Sequence, residues 1–371
     1  MDFVSAPATS RNDRLFSNLP NWVHMDLLTA LSNKSDYSKT QLQLIVGAWV
    51  MSAMVEPKQK IDMKNGDIAE DDYDKTSIYS LLYALYRSMG TVQSGNGEPY
   101  EFTFNTWGYT WPAAWGPAPI SASDPQLMGK NAYSGLYHFE AAREYIKSRD
   151  GKVHIIEMGC GTGAGAHLIC SKIIPQCTYE AVDMQQAGIN SCKRKFVPEL
   201  NGRLVATCGD ATKLTIADSS ADFVAVNETH VTEMPGRATE EDERFFRTAY
   251  RMLKPGGFLT WGNAIPDSTW KPCFELLEKI GFKMVETCDV TKEAVKARDE
   301  DKARIDSYVA QLIRAYHGFK IPMLGGKRRD LAEIALKNFS RNPGTKLYDN
   351  MVDGTDTYKV SLIQKPLTVQ A

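Results

Sequence analysis

A chain of 371 residues that is 43% apolar and 24% charged can bury a sizeable core, and it has too much apolar side chain for a disordered or fibrous protein. With 43 basic against 45 acidic residues its formal charge is −2, which removes the electrostatic footprint of a protein that binds nucleic acid or anionic lipid. The seven cysteines are scattered with no C-x-x-C pair, a pattern for free thiols in a reducing compartment and not for a disulfide framework or a zinc site.

Residues 1–20 read as an arm that lacks the apolar stretch of a signal peptide. The longest apolar run, Leu44 to Val55, is too short to cross a bilayer, so a cytoplasmic protein without a membrane span is expected. Gln41–Val55 and Ser77–Met89 have the length and period of helices, and the polar stretch Glu56–Lys75 separates them. Residues 100–125 are dense in aromatic side chains and broken by Gly and Pro, which predicts a structured loop. Its rings, Phe102, Phe104, Trp107, Tyr109, Trp111 and Trp115, could wall a pocket for a hydrophobic acceptor or could pack the N-terminal helices onto a sheet. Residues 1–129 are therefore expected to form a helical and aromatic-loop N-terminal cap.

From residue 130 onward strand-like and helix-like segments alternate. The strands are expected at Val153–Glu157, Thr178–Asp183, Arg203–Thr207, Phe223–Asn227, Phe258–Asn263, Phe282–Asp289 and Tyr358–Gln364. Seven strands with crossover helices predict a doubly wound α/β domain over 130–371, its sheet mostly parallel and Rossmann-like. A helical insertion, 292–350, falls between the last two strands, and its charged run Lys292–Arg304 reads as a solvated helix face.

The first strand ends in Glu157 and is followed by Gly159, Gly161 and Gly163, which open a helix. Glycines there let a ligand approach the backbone at the carboxyl edge of the sheet. A glycine-rich turn alone also suits a dinucleotide fold. Asp183 ends the second strand, where a carboxylate can accept from two ribose hydroxyls or cap a helix. After the third strand comes Cys208-Gly209-Asp210-Ala211, whose carboxylate suits an adenine amino group or an ordinary turn.

The ordered series IIEMGCGTG, YEAVD, CGDATKL, ADFVAVNETH and YRMLKPGGF resembles the motifs of class I S-adenosylmethionine (SAM) dependent methyltransferases over residues 130–290. YSGLYHFEAA, EAVDMQQAGINSCKRKF and GFKMVETCDVT are similar to small-molecule members that methylate polyketides, lipids and quinones, the phthiotriol-dimycocerosate type among them. The resemblance implies S-adenosyl-L-methionine as cofactor. It implies Glu157, Gly159, Gly161, Gly163 and Asn227 around the methionine part, Asp183 on the ribose, and Asp210 with Ala211 at the adenine. His230 is the expected general base and His138 a second candidate, since a neutral imidazole can take a proton from a hydroxyl. Glu228-Thr229-His230 is one residue tighter than the family's usual spacing.

The expected reaction is methyl transfer to a hydroxyl oxygen of a small, largely apolar acceptor, without a metal. Methylation of a quinone or enol carbon is the alternative, as is a methyltransferase fold that catalyses a non-methylating rearrangement. No nucleic-acid partner is expected, and the oligomeric state stays open, a homodimer included.

Overall fold

The computed structural model describes residues 106–121, 135–213, 215–229, 235–318, 341 and 343–367, with the short antiparallel ladder Val92–Gln93 and Pro99–Tyr100. By contact density the chain divides into two compact units. The first is Met1–Gly90 with Gln311–Leu336, and the second is Thr91–Ala310 with Lys337–Ala371. The predicted helices Gln41–Val55 and Ser77–Met89 lie outside the described residues, as do Phe102 and Phe104. The second unit contains the glycine-rich turn and all seven predicted strands.

Its centre is a sheet of seven strands: β1 His154–Met158, β2 Thr178–Asp183, β3 Leu204–Cys208, β4 Ala221–Asn227, β5 Leu253–Pro266, β6 Lys283–Asp289 and β7 Asp356–Gln364. They lie in the order β3-β2-β1-β4-β5-β7-β6. The first five are parallel, and β7 runs antiparallel to both β5 and β6. Each expected strand is present, with ends that differ by a few residues. The doubly wound, mostly parallel sheet expected from the sequence is therefore the fold of this chain.

The central strands read as nearly continuous apolar runs because both faces of the sheet are covered. Alternate residues supply two cores. Ile155, Tyr179, Phe223 and Val360 face one side, and Ile156, Val182, Val224, Leu259 and Ile363 face the other. The first face is covered by α1 (Tyr137–Ala141), α2 (Arg143–Ser148), α3 (Ala164–Leu168), α4 (Gln186–Lys195) and residues of the aromatic segment. On the second face lie α5 (Glu240–Met252) and α6 (Asp267–Ile280), where Phe246 and Trp270 pack on the fully buried Trp261. Local chemistry sets the start of α5. Thr239 Oγ1 accepts the Asp242 N–H at 3.3 Å, while the Asp242 carboxylate accepts the Thr239 N–H at 2.7 Å, a reciprocal capping box.

The amino edge of the sheet is fastened by Asp222, whose side chain is 2% exposed. It accepts from Tyr145 Oη at 2.9 Å, the His154 N–H at 2.9 Å and Lys254 Nζ at 2.7 Å. Burial raises the pKa of this carboxyl, but the three donors outweigh burial and hold it below the usual range.

After β6 the chain continues into α7 (Thr291–Gly318), and α8 (Lys346–Asp353) precedes β7. The expectation of a wholly solvated helix face over Lys292–Arg304 is corrected at Arg298 and Asp301, which are 3% and 8% exposed. A guanidinium can be buried there because Arg298 Nη2 donates to the carbonyls of Thr106 and Trp107, each at 2.6 Å. No described helix is long and apolar enough to cross a membrane.

Candidate active site

The loop after β1 turns at three glycines with positive φ, Gly159 at 92°, Gly161 at 56° and Gly163 at 79°. Two of them are also required by packing. A Cβ on Gly159 would lie 2.1 Å from Thr229 Oγ1, and a Cβ on Gly163 would lie 2.3 Å from Cys192 Sγ. The turn is tied to β2 because the N–H groups of Gly159 and Cys160 donate to the Val182 carbonyl at 2.8 and 3.0 Å.

Asp183 completes this tie. One carboxylate oxygen accepts the Gly161 N–H at 2.7 Å and the other accepts the Gln185 N–H at 2.7 Å. Burial pushes its pKa up to about 6 against the pull of those two donors. The glycine turn and the carboxylate at the end of β2 are thus one rigid unit, although 22 residues separate Gly161 from Asp183.

Glu157 is 5% exposed near the end of β1. Its Oε2 accepts from Tyr179 Oη at 3.1 Å. Burial raises its pKa to about 7, opposed by hydrogen bonds from Tyr179 and Asn227 and assisted by the nearby Asp183 charge. Asn227, at the end of the adjacent β4, has a buried Oδ1 with no hydrogen-bond partner among the described residues. Gly135 passes over it so closely that a Cβ there would lie 3.0 Å from Asn227 Nδ2. A buried carboxyl and an unsatisfied amide oxygen at neighbouring strand ends are acceptors suited to a cationic amine.

Asp210 and Ala211 follow β3. Asp210 Oδ1 accepts the Thr212 N–H at 2.9 Å and the Thr212 hydroxyl at 2.7 Å, and Oδ2 pairs with Lys213 Nζ at 2.9 Å. Partial burial raises its pKa, but these donors hold it below the usual carboxylate range. Ala211 is 8% exposed. His138, on α1, is fully buried, and burial lowers its pKa to about 3. His230 lies outside the described residues.

One residue whose importance the sequence did not announce stands directly after Asn227. Glu228 adopts φ 47°, a left-handed conformation that costs a non-glycine residue about 1 kcal/mol or more. Its carboxylate accepts the Trp107 N–H at 2.7 Å and Tyr358 Oη at 2.9 Å, and it pairs with Arg341 at 3.3 Å. The guanidinium groups of Arg298 and Arg341 lie 5.7 and 5.6 Å from the centre of the Trp107 ring. Thr110 N–H also donates to the Glu293 carbonyl at 3.1 Å. The aromatic segment and α7 therefore meet at the carboxyl end of β4. Trp107 and Tyr109 are core residues, and Tyr109 packs edge-on against Trp115 and Tyr358. An acidic residue just past a strand end was the available signal, but its partners are 113 to 130 residues away.

Residues 156–261 match the family described as Methyltransferase domain. Residues 156–261 are thus similar to a methyltransferase domain. It is similar to the phthiotriol/phenolphthiotriol dimycocerosates methyltransferase of Mycobacterium tuberculosis, with 28% identity over 195 residues, 52% of this chain and 64% of the relative. It is similar also to the fatty-acid O-methyltransferase of Mycolicibacterium smegmatis, with 27% identity over 58% of this chain and 73% of the relative. The chain thus spans 64% of the length of the first of these relatives, a little under two thirds. Among solved structures it resembles the O-methyltransferase of a trans-AT PKS multienzyme from Brevibacillus brevis in complex with S-adenosyl-L-homocysteine. There the TM-score is 0.45 and the identity 15%, covering 70% of this chain and 82% of that one.

Proposed function

We propose that this chain transfers a methyl group from S-adenosyl-L-methionine to an oxygen of a small, largely apolar acceptor. The observation that carries the reading is the single unit made by the glycine turn and Asp183, with Glu157 and Asn227 at the carboxyl ends of adjacent parallel strands. When bound, the cofactor would supply an electrophilic sulfonium methyl.

In this reading Glu157 and Asn227 Oδ1 accept from the ammonium of the methionine part, and Asp183 accepts from the ribose hydroxyls with lone pairs its backbone donors leave free. Gly159, Gly161 and Gly163 admit the ligand close to the backbone, and Asp210 with Ala211 borders the adenine. His230 takes the proton from the acceptor hydroxyl. His138, buried and held neutral far below its ordinary range, is a poor base by comparison. An oxygen acceptor on a lipid-like molecule is supported by the name of the fatty-acid O-methyltransferase. No metal, nucleic acid or membrane span enters this reading, and the protein works in the cytoplasm.

Titration calorimetry with S-adenosylhomocysteine tests the site, and Asp183→Ala should weaken that binding by about 1–3 kcal/mol. Unchanged affinity would remove Asp183 from the site. Incubation with methyl-labelled SAM and a metabolite extract, followed by mass spectrometry, tests the reaction. A labelled methoxyl or methyl ester is expected, and a new carbon–methyl bond would overturn the choice of oxygen.

A further inference from the structure

Tyr179 is fully buried on β2, four residues before Asp183. The parallel register sets it beside Ile155, on the face that Glu157 also occupies, and its hydroxyl donates to Glu157 Oε2 at 3.1 Å. Packing alone does not ask for that hydroxyl. A Phe ring would fill nearly the same volume, and a buried O–H is costly unless it is paired.

The carboxyl it meets is in a demanding place. Glu157 feels the Asp183 charge and lies near the thiols of Cys160, Cys170 and Cys192, with Tyr179 and Asn227 as its side-chain donors. Burial and a like charge both disfavour the ionised form, and those two donors oppose them.

We propose that Tyr179 is a positioning residue: its hydroxyl holds one Glu157 oxygen, so that the other oxygen is presented to the ammonium of the cofactor's amino-acid part. This rests on the reading of the edge as a SAM site. It adds a residue buried beneath the site that tunes the amino-acid end of the cleft.

The size of the effect follows from the ionisation. Burial raises the Glu157 pKa to about 7, so near neutral pH its charge responds directly to the loss of a donor. Loss of one hydrogen bond to a charged acceptor displaces its ionisation about tenfold and costs on the order of fivefold in affinity for an ammonium ligand near pH 7.

The test is calorimetry of wild type and Tyr179→Phe with two probes, S-adenosylhomocysteine and 5′-methylthioadenosine, which lacks the amino-acid part. At pH 7 the variant should bind S-adenosylhomocysteine about fivefold more weakly, and methylthioadenosine within twofold of wild type. The defect should close to within twofold by pH 8.5, where the carboxyl ionises in both proteins. In a Glu157→Gln background the Tyr179→Phe change should add nothing. Equal affinities at pH 7, an equal loss with both probes, a loss that does not change with pH, or an added loss in the Glu157→Gln background would each overturn the proposal. Failure of wild type to bind either probe would instead remove the SAM site beneath it.

Discussion

Replacing Glu228 by Gln isolates the charge that holds the aromatic segment to the end of β4. The side chains of Glu228 and Arg341 are 4% and 13% exposed, so their pair is largely withdrawn from water. Breaking a fully buried pair costs about 3–5 kcal/mol, because the partner is left as an uncompensated charge. Arg341 keeps some contact with solvent and with the Trp107 ring, which reduces that part of the loss. The amide adds a second cost. Both carboxylate oxygens lie 2.7 Å from the Trp107 nitrogen, and turning one into a donor sets NH2 against an N–H or against Arg341. Together these give about 2–3 kcal/mol of destabilisation. Urea unfolding followed by tryptophan fluorescence should show it, and hydrogen exchange should locate it, with the Trp107 and Gly108 amides losing protection while strands β1 and β4 keep theirs. Glu243→Gln, at an exposed pair with Arg247, should leave the midpoint where it was. A change below about 0.5 kcal/mol for Glu228→Gln with unaltered exchange at Trp107 would refute the reasoning.

Gly163→Ala should destabilise the domain, since its Cβ would meet Cys192 Sγ at 2.3 Å, and Cys192→Ala in the same chain should recover part of the lost thermal midpoint; no recovery would leave the positive φ as the whole cause. Burial lowers the His138 pKa from 6.5 to about 3, so its contribution to stability is complete above about pH 6.5 and is lost as pH falls toward 3. Wild type should accordingly lose more unfolding free energy than His138→Gln between pH 6 and 4, by roughly 1.4 kcal/mol for each pH step of one, and parallel profiles would contradict the buried neutral imidazole. Single-turnover methylation by His230→Asn should be slower by roughly 10²- to 10⁴-fold with cofactor binding intact, and near-equal rates from pH 6 to 9 would sink the assignment of the base.

The strands were legible in the sequence because a strand buried on both faces must be written as an apolar run, and crossover helices must alternate with such runs. The glycine turn was legible for the same kind of reason: Gly159, Gly161 and Gly163 adopt φ values that other residues avoid, and Asp183 ends the neighbouring strand at the spacing a βαβ unit imposes. These are local constraints, each expressed within about thirty residues. The aromatic segment left two roles open, and only the folded chain shows Trp107 and Tyr109 in the core. Arg298 looked like one charge among many on a helix until the fold placed the carbonyls of Thr106 and Trp107 within its reach. Tyr179 and Glu228 belong to the same class. Composition and period cannot distinguish a tyrosine that fills a core from one that donates to a buried carboxylate, nor a surface glutamate from one that gathers Trp107, Arg341 and Tyr358. A buried polar group takes its meaning from its partners, and tertiary structure alone decides which partners come within about 3 Å of it.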